Sequence, residues 1–264
     1  AMRVITLNMN GIRAAARKGF FEWLPHQKAD VICLQEVRIQ EHQFTEEMRN
    51  PPGFHAEYFL AEKPGYSGVA IYSRQKPDRV RRGIGWKEAD QEGRFLQADF
   101  GNLSVVSLYL PSGSSGELRQ NFKFQFMNQL YTWMKGKRKS RREFLICGDW
   151  NIAHTEKDIK NARGNRNNSG FLPEERAWMT EVLDELGWVD TYRHLHPNAE
   201  GDGYSWWSNR GNAWANNTGW RIDALLATPN LALTSFKSRV YKDKRFSDHA
   251  PVFLDLKSTI EYFA

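Results

Sequence analysis

Apolar residues gather along this chain in short runs bounded by polar or glycine-containing positions: RVITLN, ADVICLQE, HAEYFLA, GVAIYS, RFLQADF, LSVVSLYL, EFLICGDW, RIDALLAT and PVFLDL. Their length and their content of Val, Ile, Leu and aromatic residues predict β-strands. Two segments change period. In ELRQNFKFQFMNQLYTWM the residues Phe122, Phe126, Leu130, Trp133 and Met134 fall on one face at helical spacing. Pro173 opens a second helix, PEERAWMTEVLDELG, with Trp178, Met179, Val182, Leu183 and Leu186 as its buried stripe and Gly187 as its stop. Many strands with a few long helices predict an α/β layered fold, a two-sheet sandwich with helices packed outside. A doubly wound parallel sheet is the alternative, but no glycine-rich phosphate loop follows the first strand. The 264 residues contain no repeat, low-complexity tract or long linker, so one domain over 1–264 is expected.

Charge adds a little. Lys and Arg exceed Asp and Glu by 37 to 31, a net charge of +6, which suits a polyanionic partner without identifying one. Cys33 and Cys147 lie inside the apolar runs VICL and FLIC without zinc-site spacing, as buried thiols of a reducing compartment would. AMRVITLNMN holds no apolar stretch of signal-peptide length and no run approaches a membrane span, so a cytoplasmic protein is expected.

Polar chemistry sits at the strand ends. The first run finishes in Asn8 and Asn10, the second in Gln35 and Glu36, a later one in Tyr109, and LICGDWN in Asp149 and Asn151; Asp223 opens RIDALL, and Asp248 and His249 precede PVFLDL. Any one of these has an ordinary explanation as a turn or rim residue. Together they could converge on one rim of a sandwich. Carboxylate and amide oxygens without a Cys or His cluster favour a hard cation such as magnesium or manganese. The serine-rich loop PSGSSGE lacks the G-x-S-x-G elbow of a serine hydrolase, so metal-assisted phosphodiester hydrolysis fits better.

Six motifs in order, LNMNGIRA, ICLQEV, LYLPSG, GDWNIA, WRIDALL and SDHAPV, resemble the exonuclease III and apurinic/apyrimidinic endonuclease family, the DNA-repair branch of the fold shared with DNase I. The likeness runs from Val4 to about Leu256. It implies a four-layered α/β sandwich, two mixed sheets face to face with helices outside. It also implies Mg²⁺-dependent incision of duplex DNA 5′ to abasic sites, removal of 3′-blocking groups and some 3′–5′ exonuclease activity, by a monomer. By the same resemblance Glu36 is the principal metal ligand, with Asn10, Asp248, Asp149 and Asn151 near the ion. Asp149, helped by Asn8 and Asn151, orients and deprotonates the attacking water. An ordinary Asp, with a pKa of about 3.9, is a weak base unless burial or a neighbouring acid raises it. His249, fixed by Asp223, contacts the scissile phosphate, and Tyr109 donates to it or stabilises the leaving oxygen.

The segment YSWWSNRGNAWANNTGWRID carries four tryptophans from Trp206 to Trp220. Core packing accounts for Trp207 and Trp214, whereas the resemblance places Trp206, Trp220 and Ile222 around an extruded abasic sugar. In NARGNRNNSGF, Asn168 is expected to hold a phosphate and Gly170 to let duplex DNA approach closely. KGKRKSRR has six basic residues in eight, but it precedes a strand whose far end bears Asp149, roughly 20 Å away at ~3.3 Å per residue. It is expected to be a solvated loop. Arg79, Arg81, Arg82, Arg163 and Arg166 are expected in loops. Competing readings are a specialised 3′-phosphatase or 3′-exonuclease with little internal incision, a phosphatase or phospholipase acting on inositol phosphates or sphingomyelin, and a catalytically silent DNA-binding module.

Overall fold

The computed structural model describes all residues 1–264. Its strands are β1 (Met2–Asn8), β2 (Val31–Gln35), β3 (His55–Phe59), β4 (Val69–Ser73), β5 (Arg79–Arg82), β6 (Phe95–Phe100) and β7 (Leu103–Tyr109). They continue as β8 (Glu143–Asp149), β9 (Val189–Asp190), β10 (Trp206–Trp207), β11 (Gly219–Trp220), β12 (Asp223–Ala227), β13 (Ser235–Val240) and β14 (Val252–Leu256). Two six-stranded mixed sheets form, in the orders β13-β14-β1-β2-β4-β3 and β5-β6-β7-β8-β12-β9, and β10 and β11 make a small hairpin.

Three apolar layers explain why the central strands are apolar at nearly every position. Val4, Val31, Cys33, Val105, Leu145, Cys147, Leu225 and Leu254 point between the sheets. Alternate residues of the first sheet, Ile5, Leu7, Ile32 and Leu34, pack outward with Ile12, Phe20 and Trp23 of the short helices Ile12–Arg17 and Phe20–Trp23. Val106, Leu108 and Ile146 of the second sheet pack outward with Phe126, Leu130 and Met134 of the Glu117–Arg138 helix and with Trp178 and Val182. Side chains alternate across a strand, so a strand covered on both faces must be apolar at both parities. Each fully buried Val, Leu or Ile contributes about 1.5–3 kcal/mol. No helix is long and apolar enough to cross a membrane.

Several expectations change. β5 and β13 carry the sequences RVRR and SFKSRV and lie near or at sheet edges, where charged side chains are tolerated and block further pairing. Arg79, Arg81 and Arg82 therefore belong to a strand rather than a loop, and Arg82 pairs with Glu57 at 2.7 Å. Arg163 lies in the short helix Ala162–Asn165, with Arg166 at its C-terminal cap. The KGKRKSRR run is only in part a solvated loop: Lys135 to Arg138 complete the long helix, Arg138 donates to the Leu186 carbonyl at 2.9 Å, and Arg142 donates to the Gly101 carbonyl at 2.8 Å. The second helix is α-helical over Pro173–Thr180 and widens over Glu181–Glu185, where Leu186 N–H reaches the Glu181 carbonyl at 3.0 Å before Gly187 turns the chain.

Candidate active site

Strand direction gathers the polar ends on one rim. β1 and β2 run parallel with Asn8 opposite Gln35, and β7 and β8 run parallel with Tyr109 opposite Asp149. β12 is antiparallel to β8, so its first residue, Asp223, pairs with the last of β8, Asp149. β14 is antiparallel to β1, which brings the preceding Asp248 and His249 to the same end. Asn10, Glu36 and Asn151 just past their strands adopt left-handed backbones, with φ of 44°, 49° and 49°. Such a conformation costs a non-glycine residue of order 1–3 kcal/mol and persists only where surrounding bonds over-determine it.

These residues line or underlie a cavity of about 1110 Å³. At its floor Asp149 accepts from Asn8 Nδ2 through Oδ2 and from Asn151 N–H through Oδ1, each at 2.9 Å. His249 Nδ1 lies 2.8 Å from Asp223 Oδ2, and its Nε2 lies 3.7 Å from Asp149 Oδ2. Burial raises Asp149 above the ordinary carboxylate range and Asp223 adds to the rise, while His249 and the Asn151 N–H oppose it. Burial pushes the His249 ring down, but Asp223 and Asp149 outweigh it and move the ring up to about 10. The two carboxylates thus favour the charged form of the ring, in which Nε2 is a donor.

Nearer the mouth are Glu36, Asn10 and Asp248. Tyr109 donates its hydroxyl to Glu36 Oε1, and Arg38 pairs with Glu36 Oε2 at 2.8 Å. The Tyr109 hydroxyl thus engages the Glu36 carboxylate at this rim. Asp248 accepts from the Trp206 indole N–H and the Ser247 hydroxyl, each at 3.1 Å. Asp149, Asp223 and His249 offer ligand atoms within 4.8 Å of one another and could hold a metal ion. Glu36, Asn10 and Asp248 line the same cavity and add oxygen ligands of the kind a hard cation takes.

The walls come from two loops. Trp206 and Trp220 meet edge to face with centroids 5.8 Å apart, and Ile222, Asn168 and Gly170 complete the lining. The small hairpin is tied to the catalytic segment because Trp207 N–H donates to the Asp248 carbonyl at 3.2 Å and Ala250 N–H to the Ser205 carbonyl at 2.8 Å. Trp207 is buried, as expected, while Trp214 is half-buried beneath Arg245, whose guanidinium lies 4.0 Å from its ring centroid.

Comparison with known proteins now discriminates among the phosphoesterase readings. The endonuclease/exonuclease/phosphatase family profile matches residues 5–249. The chain belongs to that family. It is 40% identical to an exodeoxyribonuclease of Bacillus subtilis over 96% of this chain and 98% of that protein. It is 34% identical to the DNA repair nuclease APEX1 of Danio rerio over 97% of this chain and 82% of the other. The AP endonuclease structure from Archaeoglobus fulgidus superposes with a TM-score of 0.87 at 28% identity, over 98% of this chain and all (100%) of that one. A Neisseria 3′ phosphatase bound to a product DNA hairpin superposes with a TM-score of 0.86 at 25% identity, with coverage of 98% and 100%. The protein is thus an exonuclease III/AP endonuclease-type nuclease with the DNase I-like sandwich.

Gly170 has a reason internal to the fold to be glycine. Its φ is +97°, and a Cβ there would lie 2.8 Å from the Trp220 ring and 3.2 Å from the Asn151 carbonyl oxygen. Glycine is needed there for an internal close approach to the pocket wall. If this internal approach is what matters, Gly170→His should depress turnover of every substrate to a similar degree, read as kcat on internal and terminal sites; a loss confined to intact duplex would show that the position serves access by duplex DNA. Asn168 lines the cavity, but its Nδ2 donates to Asn165 at 2.9 Å within its own loop.

Other residues escaped the sequence reading. Arg221, between Trp220 and Ile222, is buried and donates to Asp158 at 2.8 Å and to both oxygens of Asp190 at 3.1 and 2.6 Å. Arg193 adds a second cation on Asp158 at 2.5 Å. Burial alone would raise Asp158, but Arg221 and Arg193 hold it well below the usual carboxylate range. Arg221→Met should destabilise the fold by about 3–5 kcal/mol, because it strands buried carboxylates. Equilibrium urea unfolding measures this. In the unsubstituted protein the Asp158 contribution is complete above the unfolded pKa of about 3.9 and is lost as pH falls through the depressed folded value. Lys123 and Glu175, also missed, are buried, and Lys123 is part of the cavity lining. A signal existed for Lys123, which lies at helical spacing from Phe126 and Leu130 on the buried face.

Proposed function

We propose that this nuclease is a Mg²⁺-dependent DNA-repair phosphodiesterase, with Mn²⁺ as an alternative ion, acting as a single-domain monomer in the cytoplasm. It incises double-stranded DNA 5′ to abasic sites, removes 3′-blocking groups and has some 3′–5′ exonuclease activity. The observation that carries this reading is one cavity with the Asp149, His249 and Asp223 cluster at its floor and the paired Trp206 and Trp220 rings in its wall. The floor suits phosphodiester hydrolysis and the aromatic wall suits a sugar without its base.

The geometry of the cavity supports a role for each residue. Glu36, Asn10 and Asp248 would hold the ion, with Asp149 and Asn151 near it, and a bound Mg²⁺ supplies charge neutralisation at the phosphate. Asp149, oriented by Asn8 and Asn151, turns its remaining lone pairs toward a water and accepts its proton; its raised pKa makes it a better base than an exposed aspartate. His249, held by Asp223, donates from Nε2 to a non-bridging phosphate oxygen as negative charge grows. Tyr109 donates to Glu36 and sits opposite Asp149 across the β7–β8 pair, and it would donate to the leaving oxygen once Glu36 is otherwise engaged. Trp206, Trp220 and Ile222 enclose the sugar, and Asn168 meets the adjoining phosphate.

The test uses a duplex with one internal abasic analogue and a matched duplex with a recessed 3′-phosphate, each with Mg²⁺ and with EDTA. Incision of the internal site that EDTA abolishes is the expected result. Activity on the 3′-phosphate alone would make the protein an end-processing enzyme like its Neisseria neighbour, and inactivity on both would redirect the search to other phosphoesters.

A further inference from the structure

We propose that Lys123 and Glu175 form a buried strut that positions Asn151 and Gly170, and through them the catalytic floor and the Trp220 wall. The inference rests on the reading of the cavity as a phosphodiesterase site. Lys123 and Glu175 are 1% and 0% exposed, and Lys123 Nζ lies 2.5 Å from Glu175 Oε2. The same ammonium donates to the Asn151 carbonyl at 2.6 Å. Glu175 Oε1 accepts the Gly170 N–H at 2.6 Å and the Leu172 N–H at 3.0 Å, and Oε2 also accepts from Gln120 at 3.2 Å. One ion pair thus joins the long helix, the turn after β8 and the loop before the Pro173–Thr180 helix.

Stability alone does not account for such a pair, since an apolar pair of similar volume in its place is often neutral or stabilising. What the charges provide is direction. Asn151 is in the left-handed region at φ 49°, and its conformation is held by Lys123 on its carbonyl, by Asp149 on its N–H and by the Leu110 carbonyl on its side chain at 2.7 Å. If the first hold is released, the Asn151 N–H can swing from Asp149, which then loses one of the two donors that orient it. On the other side Gly170 abuts both Trp220 and the Asn151 carbonyl, and its own carbonyl accepts Ala153 N–H at 2.9 Å, so the two loops move together. Lys123 and Glu175 are positioning residues: neither needs to touch DNA.

The decisive comparison is between Lys123→Met, Glu175→Gln and the double variant of the full-length protein. Steady-state kinetics on both DNA substrates, thermal melting and amide hydrogen exchange at Asn151 and Gly170 are measured. Each single change should lower the melting temperature, because it leaves one charge buried and unpaired. The double change should restore most of the melting temperature yet leave kcat down by roughly 10–100-fold with KM within about threefold, the effect of small misplacement near reacting atoms. Asn151 amide exchange in the double variant should be at least about tenfold faster than in the unsubstituted protein, consistent with local opening at unchanged global stability. Wild-type kcat or wild-type Asn151 protection in the double variant would overturn the proposal. If the unsubstituted protein turns over neither DNA substrate, the phosphodiesterase reading fails, while the exchange measurement still decides whether the strut holds Asn151.

Discussion

Asp149→Asn should lower kcat on both DNA substrates by roughly 10³-fold, within the range of 10²–10⁴ that a positioned general base contributes. The change is isosteric, so the fold and DNA affinity should be retained, at a stability cost of about 1–3 kcal/mol for the buried donor left unpaired. Two losses combine. An amide cannot accept the proton of an attacking water at neutral pH. It also presents one acceptor where two donors, Asn8 Nδ2 and Asn151 N–H, converge on the two carboxylate oxygens. Asn8 cannot simply flip to compensate, because its Oδ1 already accepts the Asn10 N–H at 2.9 Å. Single-turnover cleavage with parallel binding assays separates chemistry from affinity, and a fall of less than tenfold in the chemical step would remove Asp149 from the role of base.

The second large effect belongs to the Asp223–His249 pair. Asp223 and Asp149 move the ring up to about 10 against the opposing pull of burial, and we propose that His249 meets the phosphate as a cation. Asp223→Ala removes the nearest carboxylate and leaves burial less opposed, so the ring pKa should fall by several units. Imidazole resonances followed by NMR across pH 5–10 would show it, at about the pH values where unperturbed histidine and this ring titrate. Loss of a charged donor to the phosphate should then lower kcat at neutral pH by about 10²-fold, the scale for removing one oxyanion-stabilising group. The linkage sign is that of a raised folded pKa. The ring's contribution to stability is complete below its unfolded pKa of about 6.5 and disappears as pH rises through the folded value. An unchanged ring pKa in the Asp223→Ala protein would show that Asp149 alone sustains the cation.

Much of this was already legible along the chain. The apolar runs marked the central strands because both of their faces are covered, and the polar residues at their ends named Asn8, Glu36, Tyr109, Asp149, Asp223 and His249. What escaped was of two kinds. β5 and β13 read as polar because edge strands are not required to be apolar, so their pattern reports exposure rather than strand formation. The buried ion pairs, Lys123 with Glu175 and Arg221 with Asp158 and Asp190, join residues far apart in the chain, and in a linear reading each charge looks like a solvated one. Gly170 illustrates the same limit: its freedom is visible as a residue type, but the ring it must clear is brought in by another loop.

The sequence by itself determined which segments become central strands and which chemical groups terminate them, because hydrophobic periodicity and residue type are local properties. Only the tertiary structure decided what those groups do to one another. The parallel and antiparallel registers set Asp149 beside Tyr109 and Asp223. Burial then raises Asp149, while Asp223 and Asp149 raise the His249 ring against burial, and proton affinity depends on neighbours and desolvation that exist only once the sheets have packed.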